Sequence, residues 1–254
     1  MPSPPRSYTH LPSQADLFYF CTTLDTSEED LNIRYSPPSK SSLRIGVLVL
    51  GQRPVQLLDL AAIDTIAMIS RNRMSGMNGS EDALDEAVDE IDVRYVNENG
   101  EGSFPVTSGA RIPVTNSFEN APQFDVLIIP GSFASDELPV AASTFLEAQT
   151  SDPELIAVMS IASGILSLAQ TGLLHEKRAT GPPSLLQSLR QRYPDTNWRD
   201  ARWTRNDKIW SSSSALTAMD MVTSWMREYF WDRSEAVECA LGTAGVARLD
   251  EDDY

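Results

Sequence analysis

Short apolar runs alternate with amphipathic segments along most of the chain. The first run, Leu43–Leu50, contains several β-branched residues and predicts a strand that is buried on both faces, as in parallel sheets. The next segment, Val55–Ser70, has apolar residues at helical spacing and predicts a helix. Further strands are predicted at Ile91–Asn97, Phe124–Gly131 and Glu154–Ile161, and a further helix at Ile165–Leu174.

The C-terminal half continues this alternation. Helices are predicted for the proline-flanked residues 182–194, for Ala215–Phe230 and for Ser234–Gly242. Residues 201–214 have the pattern of a hairpin with its turn at Asn206-Asp207. Strands that alternate with helices predict an α/β fold, in which a mostly parallel sheet lies between two helical layers. Such sheets bind ligands beyond the carboxyl ends of their strands, so the strand exits at Gly131 and Ala162 should face one crevice.

Residues 1–42 differ from the rest of the chain and predict an N-terminal extension. Proline and serine are frequent at both of its ends, but Asp16–Cys21 is too apolar for a free tail. We therefore expect an arm that packs on the domain or on a partner subunit through the aromatic residues Phe18–Phe20, so that a chain starting at Leu43 loses thermal stability or changes its oligomeric state. Residues 43–254 should form one domain that ends in an acidic tail.

Charge and composition exclude several classes of protein. The formal net charge is −16, which repels nucleic acids and anionic membranes. No apolar run is long enough to span a bilayer, and the N-terminus lacks the pattern of a secretory signal, so we expect a cytoplasmic protein. The chain has two histidines, too few for a histidine-rich metal site. It has two cysteines, and a disulfide between them is disfavoured in a reducing compartment. Carboxylate metal sites stay open, but no EF-hand spacing occurs.

The turn after the predicted strand Glu154–Ile161 has the form of a nucleophile elbow. This elbow, Ile161-Ala162-Ser163-Gly164, joins an apolar strand directly to a helix. A cysteine at such a turn would lie at a helix N-terminus, where partial positive charge and backbone N–H groups favour the thiolate. Ala162 cannot form a covalent intermediate, so the sequence excludes a thiohemiacetal or thioimidate mechanism.

Four motifs in the same order resemble the ThiJ/PfpI superfamily, which has the class I glutamine-amidotransferase-like fold, and in particular a branch common in fungi. They are VQLLDLAAIDTIAMIS, DVLIIPGS, SIASGILSLAQTGLLHEKRATGP and ARWTRNDKIWSSSSALTAMD, and the resemblance extends from about residue 43 to residue 245. It implies a three-layer flavodoxin-like sandwich, often a homodimer, with a pocket for a small-molecule substrate that uses no cofactor and no metal. Relatives include hydratases, glyoxalase-like enzymes, deglycases, proteases and chaperones, so the fold does not fix the reaction.

The resemblance also shows where this chain departs from its relatives. The family's nucleophilic cysteine falls on Ala162, and two glycines that follow the last strand fall on Ser213 and Ser214. The aspartate of the following helix, Asp220, is kept. Ser213 and Ser214 are therefore candidate substrate-binding residues, although an ordinary strand end would explain them equally simply.

The loop after the strand Phe124–Gly131 resembles the family's oxyanion loop. By this resemblance Gly131 and Ser132 are candidate substrate-binding residues, with the Gly131 backbone N–H as an expected oxyanion donor. Ser163 and Gly164 of the elbow are candidates as well, because a helix N-terminus can hold an anion. Ser163 could instead be a simple helix cap.

Asp59 matches the acidic helix residue of the family and is the predicted general acid or base. Leu57, Leu58 and Leu60 should remove water from this carboxyl and raise its pKa. The alternative is a structural carboxylate paired to the backbone or to an arginine.

These residues predict a cofactor-independent enzyme that acts on a small carbonyl-bearing metabolite by non-covalent acid–base catalysis. Isomerisation, cyclisation, dehydration and hydration would all suit such a site, with fungal secondary metabolism as the setting. One alternative is a non-catalytic relative that binds a metabolite or a protein partner. Another is an engineered Cys-to-Ala form of a hydratase or glyoxalase-like enzyme, which would explain Ala162 but not Ser213, Ser214 or Met219.

Overall fold

A seven-stranded sheet forms the centre of the computed structural model, which describes residues 38–50, 54–77, 79–131 and 137–246. The strands are β1 (Ser42–Leu48), β2 (Glu90–Asn97), β3 (Gly102–Pro105), β4 (Arg111–Val114), β5 (Asn116–Ser117), β6 (Val126–Ile129), β7 (Ala157–Ser160), β8 (Arg178–Ala179), β9 (Asn197–Trp198), β10 (Trp203–Asn206) and β11 (Ile209–Ser212). The order in the sheet is β10-β11-β7-β6-β1-β2-β5. Within this sheet β10 is antiparallel to β11 and the other described pairs are parallel, so the predicted α/β fold with a mostly parallel sheet is confirmed.

Helices connect the strands. They are α1 (Ala61–Ala67), α2 (Arg71–Met74), α3 (Glu81–Glu86), α4 (Val140–Ser151), α5 (Ile165–Gln170), α6 (Pro183–Arg192), α7 (Ala215–Tyr229) and α8 (Ser234–Thr243), with 3-10 turns at Leu57–Leu60, Ser75–Met77 and Ala162–Gly164. None of the helices in the described part of the chain is both long enough and apolar enough to cross a membrane.

The sheet is buried on both faces, as its apolar strands predict. One core lies between the sheet and helices α1, α7 and α8, and the other lies between the sheet and helices α4, α5 and α6. In β1, Ile45 and Val47 contribute to the first core and Leu48 to the second, and each is at most 1% exposed. Burying a side chain of this size stabilises the fold by about 1.5–3 kcal/mol. The helical layers on both faces confirm the three-layer sandwich.

The predicted helix Val55–Ser70 begins later in the structure than its pattern suggests. Val55 is extended and forms an isolated parallel bridge with Val106, and its carbonyl oxygen accepts a hydrogen bond of 2.9 Å from the Thr107 N–H. This tertiary contact keeps the first residues out of the helix, which starts with the 3-10 turn Leu57–Leu60 and continues as α1. Asp59 therefore lies in a tight turn in front of the helix.

The predicted hairpin near the C-terminal end of the sheet is present in the structure. The predicted hairpin is confirmed as β10 and β11, but its turn is Asp207-Lys208, one residue later than predicted, with Asp207 at a φ of 57°. Aspartate tolerates that left-handed conformation better than most residues.

The arm up to residue 37 and the acidic tail from residue 247 lie outside the described residues. The described residues from Ser39 onwards belong to one compact unit.

Ser214 gives helix α7 its N-terminal cap, and its removal should destabilise the protein. The Ser214 Oγ accepts a hydrogen bond of 3.2 Å from the Thr217 N–H, and the Thr217 Oγ1 accepts one of 3.0 Å from the Ser214 N–H. We expect Ser214→Ala to lower the free energy of unfolding by about 1 kcal/mol, whereas Ser214→Gly should cost only a few tenths. Urea unfolding measures both, and equal losses would contradict this role for the hydroxyl.

Candidate active site

The carboxyl ends of β6 and β7 lie side by side and bring two loops of the predicted site together. Ile129 pairs with Ser160 in the parallel register, and the Ile161 N–H donates a hydrogen bond of 2.9 Å to the carbonyl oxygen of Ile129. The chain leaves β6 through Pro130 and Gly131 and leaves β7 through the elbow. Both strand exits are therefore at one edge of the sheet, as the sequence predicts.

Asp59 is a buried carboxylic acid at this edge. It is only 2% exposed, and its Oδ2 accepts a hydrogen bond of 2.9 Å from the Gly131 N–H. Its Oδ1 is also buried but has no hydrogen-bond partner among the described residues. An unpaired buried polar atom costs free energy, so Oδ1 is the oxygen of this carboxyl that is open to a further partner.

Burial raises the pKa of the Asp59 carboxyl from 3.8 to about 6, and the hydrogen bond from Gly131 opposes this shift. The raised pKa agrees with the sequence prediction, but the predicted cause is only partly correct. Leu57 and Leu58, which were expected to cover the carboxyl, are 51% and 49% exposed, while Leu60 is buried. The 3-10 turn directs the two leucines outward, whereas Gly131, at the exit of β6, lies against the carboxyl.

The elbow has a strained backbone at Ala162. Its φ is 49°, in the left-handed region, which costs a non-glycine residue about 1–2 kcal/mol. Ile161 before it is extended, with a φ of −108°, and Ala162–Gly164 form the 3-10 turn that leads into α5. The predicted strand-to-helix elbow is therefore present, with alanine at its tip.

Gly164 lets the elbow lie directly on the end of β6. A Cβ atom at this position would be 2.1 Å from the carbonyl oxygen of Ile129 and 3.1 Å from that of Pro130. The Gly164 N–H donates a hydrogen bond of 2.9 Å to the carbonyl oxygen of Ile161. Gly164 thus has a packing role, and its N–H is already used within the turn.

Asp59, Gly131 and Ser163 converge on one small volume. A Cβ atom on Gly131 would lie 2.9 Å from Asp59 Oδ2, 2.9 Å from Ser163 Oγ and 3.2 Å from the carbonyl oxygen of Ile161. The absence of a side chain on Gly131 therefore allows the carboxyl and the hydroxyl to approach the same point. The Gly131 N–H, expected to face a substrate oxyanion, is instead donated to Asp59.

Ser213 and Ser214 lie at the junction of β11 with α7. The Ser213 Oγ donates to the carbonyl oxygen of Arg202 at 3.0 Å, and the Ser214 Oγ caps α7. Asp220, further along α7, forms an ion pair with Arg202. The contacts described for these hydroxyls hold the strand and the helix together, which agrees with their interpretation as an ordinary strand end.

Ser132, the second candidate residue of the oxyanion loop, lies outside the described residues, and His175 is exposed on the surface. Within the described ranges, no group of three or more histidine, cysteine, aspartate or glutamate side chains could hold a metal ion.

Sequence reasoning did not identify Ser160, whose buried hydroxyl has no hydrogen-bond partner in the described part of the chain. Its position inside an apolar strand gave no signal for it.

Comparisons with known proteins place this geometry in a family. The sequence profile of the DJ-1/PfpI family matches residues 65–228, which is well over half of the chain and includes the elbow. No curated protein matches the sequence significantly. Asp59 lies before the matched residues, so its place in the site rests on the geometry.

Solved structures show the same fold at low sequence identity. The chain is similar to Drosophila melanogaster DJ-1beta, with a TM-score of 0.62, 18% identity and coverage of 82% of this chain and 100% of that chain. It is also similar to a ThiJ/PfpI family protein from Pseudomonas syringae (TM-score 0.60, 18% identity, 91% and 84% covered). An AraC family transcriptional regulator from Pseudomonas putida matches with a TM-score of 0.62 at 17% identity, with 80% and 99% covered. This chain belongs to the DJ-1/PfpI family, within the ThiJ/PfpI superfamily that its motifs indicate.

Proposed function

We propose that the protein is a cofactor-independent enzyme that acts on a small carbonyl-bearing molecule by non-covalent acid–base catalysis. The observation that carries this proposal is the Asp59 carboxyl, which is buried at the strand exits with a pKa raised to about 6 and with Oδ1 unpaired among the described residues. A group with a pKa near neutrality can both take up and release a proton, which general acid–base catalysis requires.

The elbow determines which mechanisms are open. Ala162 has the strained conformation of a nucleophile position but no atom that can attack a carbonyl. The chemistry must then consist of proton transfers and of stabilisation of charge on the substrate oxygen. Isomerases, cyclases, dehydratases and hydratases that act next to a carbonyl share this requirement, and they form the reaction class that we propose.

The proposal also includes a biological setting and an assembly. Fungal secondary metabolism is the setting that the sequence motifs suggest. A homodimer is the assembly that the resemblance implies, and the half-exposed Leu57 and Leu58 beside the site are the kind of apolar surface that a subunit contact covers.

A second candidate function is the binding of a metabolite without turnover. The absence of a nucleophilic side chain at Ala162 favours it, and so does the similarity of the chain to the structure of an AraC family transcriptional regulator. In such a protein Asp59 Oδ1 would anchor the ligand rather than move a proton.

One experiment separates these two functions. A panel of neutral aldehydes and ketones is mixed with the protein and followed by NMR, with saturation transfer as the readout of binding and new resonances as the readout of turnover. We expect product to form from at least one member, and product formation should require Asp59. Saturation transfer without any product would favour the binding protein, and neither signal across the panel would contradict both functions.

A further inference from the structure

We infer that Asp59 and Ser163 act as a pair on one carbonyl substrate: the carboxyl removes a proton from the carbon next to the carbonyl, and the Ser163 hydroxyl donates a hydrogen bond to the carbonyl oxygen. This inference rests on the proposed function and narrows it to enolisation, with neutral compounds that carry a C–H bond beside a carbonyl as the substrate class. Ser163 becomes a catalytic residue in this assignment.

Two backbone N–H groups at the strand exits already donate hydrogen bonds within the protein. The Gly131 N–H donates to Asp59 Oδ2 at 2.9 Å, and the Gly164 N–H donates to the carbonyl oxygen of Ile161 at 2.9 Å. An enolate oxygen needs a donor when negative charge develops on it, because an unpaired charge away from water is costly. The donor must therefore come from another group at the strand exits.

Ser163 provides a hydroxyl at the right place. Its Oγ and Asp59 Oδ2 are each 2.9 Å from the point that a Cβ atom on Gly131 would occupy, so the two oxygens are close neighbours across this glycine. The side chain is half-buried, and the 3-10 turn of the elbow fixes its backbone. A hydroxyl can rotate to donate to a ligand while its oxygen keeps other contacts.

The two oxygens of Asp59 have different surroundings, which suits a base. Oδ2 is held by the Gly131 N–H, whereas Oδ1 is buried and has no hydrogen-bond partner among the described residues. The held oxygen fixes the orientation of the carboxyl, so that the unpaired oxygen can receive a proton from a bound molecule. The net charge of −16 and the carboxyl itself favour a neutral substrate over an anionic one.

The step balances without any further reactant. The C–H bond next to the carbonyl breaks and its proton bonds to Asp59 Oδ1. The electron pair of that bond forms the carbon–carbon double bond of the enolate, and the carbonyl π pair moves onto the oxygen, which the Ser163 hydroxyl hydrogen-bonds. Return of the proton from Asp59 to a different atom of the enolate gives the isomer. In D2O the proton held by the Asp59 carboxyl exchanges with solvent, and transfer of the resulting deuteron to the original carbon leaves deuterium there.

The exchange of that C–H proton is the test. The wild-type protein and its variants are incubated with hydroxyacetone and, separately, with phenylacetaldehyde in D2O, and the loss of the α-proton resonance is followed by NMR. We expect Ser163→Ala to slow exchange by about 10²-fold or more, since a lost donor to a developing oxyanion has an effect of this size. We expect Asp59→Asn to slow it by about 10²–10⁴-fold.

Two further variants serve as controls for the hydroxyl. Ser163→Thr keeps a donor and should retain exchange within about tenfold of the wild type, a smaller loss than that expected for a removed oxyanion donor. Ser151→Ala removes an exposed hydroxyl at the end of α4, outside the site, and should leave the rate unchanged. Thermal unfolding of every variant confirms that it is folded.

The outcomes separate this inference from the proposed function. If the wild type exchanges a probe, Asp59→Asn abolishes exchange and Ser163→Ala is within twofold of the wild type, the pair is wrong and the proposed function stands. If the wild type accelerates exchange of neither probe over buffer, the pair and the acid–base function both fall. If both substitutions slow exchange and the double variant is no slower than Asp59→Asn alone, the two residues act as a unit.

Discussion

Replacing Asp59 with asparagine should lower turnover by about 10²–10⁴-fold while the protein stays folded. Asparagine has nearly the same shape and its amide oxygen can accept the hydrogen bond from the Gly131 N–H, but it cannot carry a proton at neutral pH. The measurement is the single-turnover rate on the first compound that shows product. Asp64→Asn, at an exposed position of α1, is the matched control and should retain full activity. A fully active Asp59→Asn protein would remove this residue from the mechanism.

The same substitution should also change how stability depends on pH. Because the pKa of Asp59 is raised from 3.8 to about 6, the folded protein keeps this proton over a range in which the unfolded chain has released it. Stability from this group is therefore fully present below about pH 4 and is lost as the pH rises through about 6. At about 1.4 kcal/mol per pKa unit, the loss amounts to roughly 3 kcal/mol.

Urea unfolding at pH 4 and at pH 8 measures this effect. The difference in free energy of unfolding between Asp59→Asn and wild type should shift in favour of the variant by up to roughly 3 kcal/mol between the two values of pH. The comparison of two proteins cancels the contributions of the other carboxylates, which both chains share. A difference that is the same at both values of pH would show that the carboxyl is not desolvated in solution.

Gly164→Ala should lower the free energy of unfolding by at least about 3 kcal/mol. Its Cβ would lie 2.1 Å from the carbonyl oxygen of Ile129, which is a backbone atom of a central strand and cannot rotate away. The elbow would have to separate from β6, and the hydrogen bond between the Ile161 N–H and Ile129 would be strained or lost.

A second glycine provides the control for this prediction. Gly242 lies in α8, is exposed, and a Cβ there would have no atom within 4 Å. Gly242→Ala should therefore stabilise the protein by about 0.5–1 kcal/mol, because alanine favours the helix. Thermal unfolding followed by circular dichroism compares the two variants. Similar melting temperatures for both would mean that the elbow does not lie against β6 in solution.

Much of the architecture could be predicted from the sequence because its strands carry a strong signal. The apolar runs that became β1, β6 and β7 are buried on both sides, and such strands require helices on both faces of the sheet. The turn between β10 and β11 also has a local signal, since Asp207 adopts the left-handed conformation that aspartate tolerates. These features depend on residues near in sequence, so a single sequence reveals them.

Other elements could not be predicted because contacts far apart in sequence determine them. The extended conformation at Val55 depends on a bridge to Val106 in the loop between β3 and β4. The hairpin of β3 and β4 contains Pro105 and Pro113 and lacks a clear alternation of apolar residues. Helix α4 begins after Pro139 with no side-chain cap, so no start signal marks it.

Contacts between residues far apart in sequence also limited the prediction of the candidate site. The family resemblance identified Asp59 and the elbow, and the structure brings them together. The sequence could not show that the Gly131 N–H is donated to Asp59, because this contact joins residues 72 positions apart. It also could not show that Leu57 and Leu58 point outward, since a helical pattern and a 3-10 turn distribute the same residues differently around their axes.

The alanine at the strained elbow has a consequence for the behaviour of the protein under oxidative stress. Peroxide converts reactive thiolates to sulfenic and then to sulfinic acid, which inactivates sites that depend on a cysteine. Ala162 contains no sulfur, and Cys239, the free cysteine of the described residues, lies half-buried in α8. The carboxyl chemistry proposed for Asp59 should therefore persist in peroxide at concentrations that would silence a thiol-dependent elbow.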